Sequence, residues 1–319
     1  SLLAAEGERL MRRHALGLPQ FVSDSLAAGR EVVIVSSGAV AAGRAVIHRQ
    51  ANANAAMAER QALAALGQAR LIGLWQTLFE RPVAQVLLTH DDLRNRRRYL
   101  NARATLNELL ALGALPVINE NDTVSVDELK LGDNDNLAAV IAALVDADVL
   151  FIATDIDGFY TANPRTHAEA QPIEDVEALT PEFFAMAGDA GSSSGTGGMR
   201  TKLEAAAKAA AAGIETFLFN GTRADAVSGL SQGQFSGTRF RPAQNRVAAR
   251  KYWLRNVPLE AGCIVVDAGA SRAVVEKGAS LLPGGVVSAE GDFRRGDMVE
   301  VRLRDGQGDH GIARGVSQY

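Results

Sequence analysis

The sequence has one cysteine, five histidines and few aromatic residues, and each scarcity excludes a class of site. With Cys263 alone, the chain can form neither an internal disulfide nor a zinc site built on thiolates, which favours a reducing compartment such as the cytoplasm. The histidines are scattered without ligand spacing, so no histidine-built metal site is predicted. Because no apolar run reaches about 18 residues, no membrane-spanning helix is predicted either.

The chain is rich in apolar residues and has nearly balanced charge. Its 319 residues are 47% hydrophobic, which is enough for a large core and excludes disorder for the bulk of the chain. The net charge is −4, from 33 basic and 37 acidic residues, so no strong field attracts nucleic acid or anionic lipid. We expect a folded protein with one large domain and one smaller domain.

Up to Phe219, short β-branched runs alternate with segments of helical spacing. The predicted strands are 31–35, 83–88, 115–118, 149–153 and 214–219. The predicted helices are 6–28, 92–112, 136–145 and 199–212, with one or two further helices over 56–79. This alternation predicts an α/β fold with a mainly parallel sheet sandwiched by helices. Because the strands end in Ser, Asn, Asp or Gly, we expect the functional site at the carboxyl edge of the sheet.

After Phe219 the pattern changes. Residues 220–258 are rich in Gly, Ser, Gln and Arg, which predicts loops and a connection. From about Glu260, short predicted strands are separated by glycine-containing turns, which favours a small β-barrel or sandwich. These strands are 263–266, 273–275, 286–287, 298–303 and 310–316. The sequence therefore predicts a first domain at 1–245, a linker at 246–258 and a second domain at 259–319.

Three segments at or close behind predicted strand ends carry small or polar residues. Ser36-Ser37-Gly38-Ala39 would let backbone amides approach an anion at a helix start, although an ordinary turn is the alternative. The Asn/Asp clusters at 119–123 and 130–136 could hold an ammonium or a carboxylate group. A calcium loop is the rival interpretation of Asp133–Asn136, but the glycine and closing glutamate of that motif are missing.

Two further segments lie near predicted helix or strand ends. The glycine-rich run 191–198, followed by Lys202 in a helix, suits polyphosphate, although it is not a Walker motif and a flexible linker is the alternative. From physical chemistry alone, the loop 154–165 has no assigned role.

Together these segments resemble the amino acid kinase family. The matching stretches are 35–43, 99–103, 116–122, 132–137, 154–165 and 195–199. Asn119-Glu120-Asn121-Asp122 and Gly132-Asp133-Asn134-Asp135 together resemble the members that act on L-glutamate. The chain from about Glu260 resembles a PUA barrel, through 280–284, 293–296 and 313–317.

The resemblance implies ATP-dependent phosphorylation of the γ-carboxylate of L-glutamate, the first step of proline biosynthesis. It implies that Ser37, Asp122 and Asn134 bind glutamate, and that Lys202 and Asp135 are catalytic, with Asp133 a weaker candidate. The residues implied in ATP and phosphate binding are Gly38, Ala39, Thr154, Asp155, Thr196, Gly197, Gly198, Met199 and Lys202. ATP and Mg²⁺ are the implied cofactors, with the ion held mainly by ATP oxygens rather than by protein ligands.

The resemblance also implies partners. These are proline as feedback inhibitor, further copies of the chain in a homo-oligomer and a functional link to glutamate-5-semialdehyde dehydrogenase, without a membrane or nucleic acid. The family opens with a strand and a Lys-x-Gly-[Ser/Thr]-Ser turn whose lysine contacts the transferring phosphate, and this chain begins inside that turn, so we expect residues before Ser1 that include this lysine. The PUA-like part stops short of a full module, so we also expect residues after Tyr319. Three alternatives stay open: another carboxylate kinase of the family, an RNA-binding protein acting through the tail, and a catalytically idle proline sensor.

Overall fold

A computed structural model of the chain describes residues 4–5, 9–10, 17–50, 52, 55–124, 134–187, 198–243, 262–293, 298–305 and 308–317. Contacts between residues divide the chain into two compact units. The first comprises Ser1–His90 and Arg103–Val247, and the second Asp91–Ala102 and Ala248–Tyr319. The linker predicted at 246–258 lies outside the described residues, and the predicted domain limits stay predictions.

The strands of the first unit form two main sheets. They are β1 Ala4–Ala5, β2 Arg9–Leu10, β3 Ile34–Val35, β4 Val83–Leu88, β5 Leu115–Glu120, β6 Val149–Thr154, β7 Phe159–Tyr160, β8 Pro172–Ile173, β9 Asp175–Val176, β10 Glu215–Asn220 and β11 Thr238–Phe240. One sheet has the order β3-β5-β4 with all strands parallel, and the other has the order β6-β10-β11-β9 with β6 and β10 parallel. Two short antiparallel pairs, β1–β2 and β7–β8, complete this set.

Helices precede or follow most of these strands. The described helices that precede the second unit's sheet in the chain are α1 Gly17–Ala27, α2 Ala39–Val46, α3 Met57–Leu78, α4 His90–Arg94, α5 Arg96–Ala111, α6 Asn134–Leu144, α7 Pro181–Met186, α8 Met199–Ala211 and α9 Ala224–Ser231. No described helix is long and apolar enough to cross a bilayer.

Strand β5 shows that the parallel sheet is covered on both faces. Every residue from Leu115 to Glu120 is buried, although successive side chains point to opposite faces. Leu71 and Trp75 of α3 pack with Leu115 and Val117 in one apolar cluster, and α6 also packs against β5. The predicted α/β fold with a parallel sheet and helices is therefore confirmed.

The parallel registers place the polar strand ends together. In the first sheet, Val35 pairs with Ile118 and Leu88 with Glu120, so β3, β4 and β5 end at the same edge. In the second sheet, Thr154 at the end of β6 pairs with Asn220 at the end of β10. The expected concentration of polar residues at carboxyl ends is thus present in both sheets.

Among its described residues, the C-terminal part of the second unit contains a four-stranded sheet, one α-helix and a short 3-10 turn at Pro283–Gly285. The elements are β12 Cys263–Val266, α10 Ala268–Lys277, β13 Val286–Glu290, β14 Met298–Asp305 and β15 Gly308–Val316. The strand order is β13-β12-β14-β15, with β12 and β14 parallel and the other pairs antiparallel. Cys263 is buried in this sheet, with 7% of its surface exposed, as expected for a small apolar residue.

The helix predicted at 92–112 is in fact two helices, α4 and α5, because Asn95 interrupts it. The Oδ1 atom of Asn95 accepts hydrogen bonds from the backbone N–H groups of Arg97 and Arg98, both at 3.1 Å. This side chain thereby caps the start of α5.

The strand predicted at 273–275 is wrong, because this segment lies in helix α10. Asp267 caps that helix by accepting a hydrogen bond from the Ala270 N–H at 2.7 Å. The cap and the following helix-compatible residues outweigh the short β-branched run.

Two other local predictions are also wrong. The start of the helix predicted at 6–28 is wrong, because Arg9–Leu10 pairs as a strand with Ala4–Ala5, and the described helix α1 spans Gly17–Ala27. The region 220–258 is not only loop, since it contains α9 and β11. In both places tertiary contacts decide the local structure, and single-sequence propensity does not report them.

Candidate functional site

The first part of the candidate site is the turn after β3. The backbone N–H of Ser36 donates to the Ile118 carbonyl at 2.9 Å, which fixes the turn to β5. Gly38 adopts φ 115° and ψ 4°, a left-handed conformation that favours glycine, and α2 begins at Ala39. Ser37 is half-buried and Ala39 buried. The amides at the start of α2 therefore follow a glycine that has no side chain to cap them.

Two buried side chains hold this turn from inside the protein. The indole Nε1–H of Trp75 donates to Oγ of Ser36 at 2.9 Å, and this hydroxyl donates to the Ser37 carbonyl at 3.3 Å. Trp75 and Ser36 are 4% and 5% exposed, so the bond is shielded from water. The position of Ser37 thus depends on a residue of α3.

Helices α2 and α3 approach so closely that their backbones touch at two glycines. A Cβ atom on Gly67 would lie 1.8 Å from the Ala39 carbonyl oxygen, and one on Gly43 would lie 1.9 Å from the Leu63 carbonyl oxygen. Only glycine fits such an approach without displacing a backbone. The start of α2 is therefore fixed against α3 by shape.

The second part is a chain of amides at the end of β5. Asn119 is buried, and its Oδ1 accepts a hydrogen bond from Nδ2 of Asn134 at 3.0 Å. Its own Nδ2 donates to Oε1 of Gln68 on α3, also at 3.0 Å. Asp122 lies two residues beyond β5 and is half-buried. Asn119 thereby connects the sheet edge to the first residue of α6.

The third part is an ion pair between two helix starts. Nζ of Lys202 on α8 lies 2.8 Å from Oδ2 of Asp135 on α6. Oγ1 of Thr201 lies 3.4 Å from the same carboxylate oxygen and donates to the Gly198 carbonyl at 2.7 Å. Gly198 caps α8, whose first residue is Met199. The end of the glycine-rich run thus lies beside the acidic residue of the Asn/Asp cluster.

Asn134 and Asp135 join the second and third parts, because they are consecutive residues at the start of α6. One bonds to Asn119 at the end of β5, and the other to Lys202 on α8. The structure therefore brings together the amide cluster and the lysine that the sequence predicted as site residues. Three other predicted site residues, Asp133, Thr196 and Gly197, lie outside the described residues.

The fourth part lies at the carboxyl end of β6. Thr154 Oγ1 donates to Oδ1 of Asp155 at 3.3 Å, and an Arg165 guanidinium nitrogen lies 2.8 Å from its Oδ2. The pKa of Asp155 is lowered overall. Partial burial acts to raise this pKa, but the hydrogen bond and positive charge of Arg165 outweigh the effect of burial, with further hydrogen bonds from the Asp155 backbone and Thr154. The Gly221 N–H donates to the Thr154 carbonyl at 2.9 Å, which ties this corner to the end of β10.

The sequence interpretation missed several residues that support these groups. Gln68 and Trp75 lie inside a predicted helix, where nothing local marks them as partners of residues far along the chain. Arg165 and Asn220 had a weaker signal. Arg165 lies in a stretch matching the family, and Asn220 follows an apolar run, as the other polar strand ends do.

Comparison with known proteins shows the family to which the chain belongs. The chain matches the amino acid kinase family over residues 2–220 and the PUA domain over residues 262–319. Glutamate 5-kinases of Xanthomonas oryzae pv. oryzae and Xanthomonas campestris pv. campestris are each 73% identical to it over 319 residues, covering 100% of this chain and 88% of theirs. A glutamate 5-kinase of Xylella fastidiosa is 67% identical over 320 residues, covering 100% of this chain and 83% of its own. The chain therefore belongs to the amino acid kinase family, in its glutamate 5-kinase branch, with a PUA domain following the kinase domain.

Proposed function

We propose that this chain transfers the γ-phosphoryl group of ATP to the γ-carboxylate of L-glutamate, the first step of proline biosynthesis (EC 2.7.2.11). Family membership supports this function, and one structural observation supports it at the site. The amide cluster assigned to glutamate and the Asp135–Lys202 pair assigned to phosphate meet at consecutive residues of α6.

The chemistry requires alignment and charge neutralisation more than proton transfer. A glutamate carboxylate oxygen attacks the γ-phosphorus, a new P–O bond forms, and the bond to the β–γ bridging oxygen breaks with its electron pair leaving on ADP. The carboxylate is already ionised at pH 7, so no general base is needed. Since both reactants are anionic, their repulsion must be overcome by fixed positive charge and backbone amides.

Lys202 and two helix starts supply that positive potential in the proposed mechanism. The ammonium group of Lys202 stabilises charge on the transferring phosphoryl group, and Asp135 orients it. The amides near Gly198 and Met199 would bind the ATP phosphates, and those of Gly38 and Ala39 the transferring group, because both pairs of residues lie at helix starts. Thr196 and Gly197 extend the phosphate-binding run.

Ser37, Asp122 and Asn134 bind glutamate in this proposal. Asp122 is assigned to the substrate ammonium, because a carboxylate is the natural partner of a cation. Ser37 and Asn134 supply a hydroxyl and an amide, which hold a polar substrate without adding negative charge.

Thr154 and Asp155 contact the nucleotide in this proposal, since they lie at the end of β6. Mg²⁺ bound with ATP would supply further charge neutralisation at the phosphates. The donor set fits an ion held mainly by ATP oxygens, because the Asp135 carboxylate is already paired with Lys202.

We also propose where the enzyme acts, how it assembles, what inhibits it and what consumes its product. Family resemblance suggests a cytoplasmic homo-oligomer that proline inhibits by feedback. The product is a mixed anhydride that water would destroy, so an enzyme that reduces it, glutamate-5-semialdehyde dehydrogenase, is the expected consumer.

Trapping the product with hydroxylamine tests the function. The protein is incubated with MgATP, hydroxylamine and L-glutamate, and we expect ADP and γ-glutamyl hydroxamate in equal amounts. N-acetyl-L-glutamate and L-aspartate serve as competing acceptors. Turnover with either of these but none with glutamate would move the chain to a different carboxylate kinase activity.

A further inference from the structure

We propose that Gln68 is a positioning residue for the acceptor substrate, because its side chain sets the orientation of the Asn134 amide through Asn119. The inference rests on the proposed function, which assigns Asn134 to glutamate. Gln68 itself lies on α3, and it acts through two other residues rather than as a catalytic residue.

The three side chains form a relay in which each amide donates to the next. Nδ2 of Asn134 donates to Oδ1 of Asn119, and Nδ2 of Asn119 donates to Oε1 of Gln68, each at 3.0 Å. Asn119 is only 3% exposed, so water cannot readily replace either partner. Rotating its amide by half a turn would place donor against donor and acceptor against acceptor.

The direction of the relay depends on which atom faces Asn119 from position 68, and in this structure that atom is the Gln68 oxygen, Oε1. With an acceptor at Gln68, Asn119 must turn its NH₂ group to α3 and its carbonyl oxygen to α6. Asn134 must then turn its NH₂ group to Asn119, so its Oδ1 is the atom directed away. That oxygen can accept a hydrogen bond from the ammonium group of glutamate. A donor in place of the Gln68 oxygen would reverse every amide and present an NH₂ group to that cation.

Gln76 on the same helix offers a matched control. Its amide also makes two hydrogen bonds, donating to the Arg81 carbonyl at 3.4 Å and accepting from the Val83 N–H at 3.1 Å. Val83 begins β4, so these contacts lie at the amino end of that strand, away from the polar edge. Loss of the Gln76 amide therefore alters α3 but leaves the hydrogen bonds of Gln68, Asn119 and Asn134 in place.

The first experiment compares Gln68→Met with Gln76→Met in the full chain by steady-state kinetics. We expect Gln68→Met to raise the KM for glutamate about 3- to 10-fold, as for a lost net hydrogen bond, with kcat and the KM for ATP within about twofold. Gln76→Met should leave all three constants unchanged. A wild-type KM for glutamate in Gln68→Met would overturn the proposal.

A second pair of variants tests the direction of the relay and keeps both side chains polar, in case Gln68→Met does not fold. Gln68→Glu places only acceptors at this position, so we expect a KM for glutamate within about threefold of wild type. Gln68→Lys places only donors there, so we expect a rise of about tenfold or more. Charge alone predicts the opposite order, because a lysine attracts an anionic substrate and a glutamate repels it. Impairment in that opposite order would refute the relay.

These outcomes are separate from failure of the proposed function. If wild-type protein forms no hydroxamate from glutamate, the function is wrong. If wild-type protein turns over glutamate normally and the Gln68 variants behave like Gln76→Met, only the positioning role is wrong.

Discussion

The ammonium nitrogen of Lys202 lies 2.8 Å from a carboxylate oxygen of Asp135, and the two side chains are only 12% and 20% exposed. Asp135 lies in the first turn of α6, where the positive end of the helix dipole favours a carboxylate. Lys202 has a less obvious position, because the first turn of α8 repels a cation. Asp135 offsets this repulsion and keeps the ammonium group where an anionic phosphate would also be attracted.

Removing the Lys202 charge should therefore affect turnover more than binding. We expect Lys202→Met to lower kcat roughly 100- to 1000-fold, because a preorganised charge at the transferring group is lost. The KM for glutamate should change little, and initial rates of ADP release measure both constants.

Lys208→Met is the control for that variant, since Lys208 lies on the same helix and donates to Oδ1 of Asn136 at 2.6 Å. It should lower thermal stability and leave kcat near the wild-type value. Equal losses of kcat in both variants would contradict a specific role for Lys202.

The sequence predicted the strand ends of this site well, because their signal is local. Apolar strands followed by Ser-Ser-Gly, Asn-Glu-Asn-Asp or Thr-Asp are visible without knowing the fold. The supporting contacts are different, because they join residues far apart in the chain. Gln68 and Asn119 are 51 positions apart, and Trp75 and Ser36 are 39 apart. No periodicity within helix α3 distinguishes Gln68 and Trp75 from the other buried or half-buried side chains of that helix.

The close approach of α2 and α3 predicts opposite effects at two glycines of one helix. A Cβ on Gly67 would overlap the Ala39 carbonyl, whereas nothing lies within 4 Å of a Cβ on Gly73. We expect Gly67→Ala to lower the free energy of unfolding by about 1–3 kcal/mol. Gly73→Ala should raise it by about 0.5–1 kcal/mol, because alanine is the better helix former. Urea unfolding measures both changes, and two stabilised variants would show that the helices are not in contact at Gly67.

The lowered pKa of Asp155 predicts a pH-dependent contribution to stability. A carboxyl group with a lower pKa in the folded state stabilises the protein above its unfolded pKa of about 4, and this contribution disappears as the pH falls through the folded value. Wild type should therefore exceed Asp155→Asn in stability at pH 7, and the difference should begin to decline near pH 4 and disappear as the pH falls through the lower, folded pKa.

The size of that difference should be small, below about 1 kcal/mol, because the Asp155 and Arg165 side chains are 64% and 63% exposed and salt screens the pair. Arg165→Gln should reproduce the effect, and the double variant should lose little more than either single variant. Thermal unfolding from pH 3 to pH 8 measures this. If the stability difference between wild type and Asp155→Asn grew as the pH falls, the proposed lowering of the Asp155 pKa on folding would be contradicted.

The buried bond from Trp75 to Ser36 should link stability to substrate binding. Trp75→Phe removes the Nε1–H donor but keeps an aromatic ring against Phe79, whose ring centroid lies 6.2 Å away in a stacked arrangement. We expect a loss of about 1–2 kcal/mol in the free energy of unfolding. We also expect a severalfold rise in the KM for glutamate, because the Ser36 hydroxyl that holds the Ser37 carbonyl loses its fixed orientation.

Phe79→Leu provides the comparison, since it disrupts the stacking and leaves the indole bond in place. It should lower stability without changing the KM for glutamate. If both variants raise the KM for glutamate equally, general loosening of α3 explains the effect and the indole bond does not.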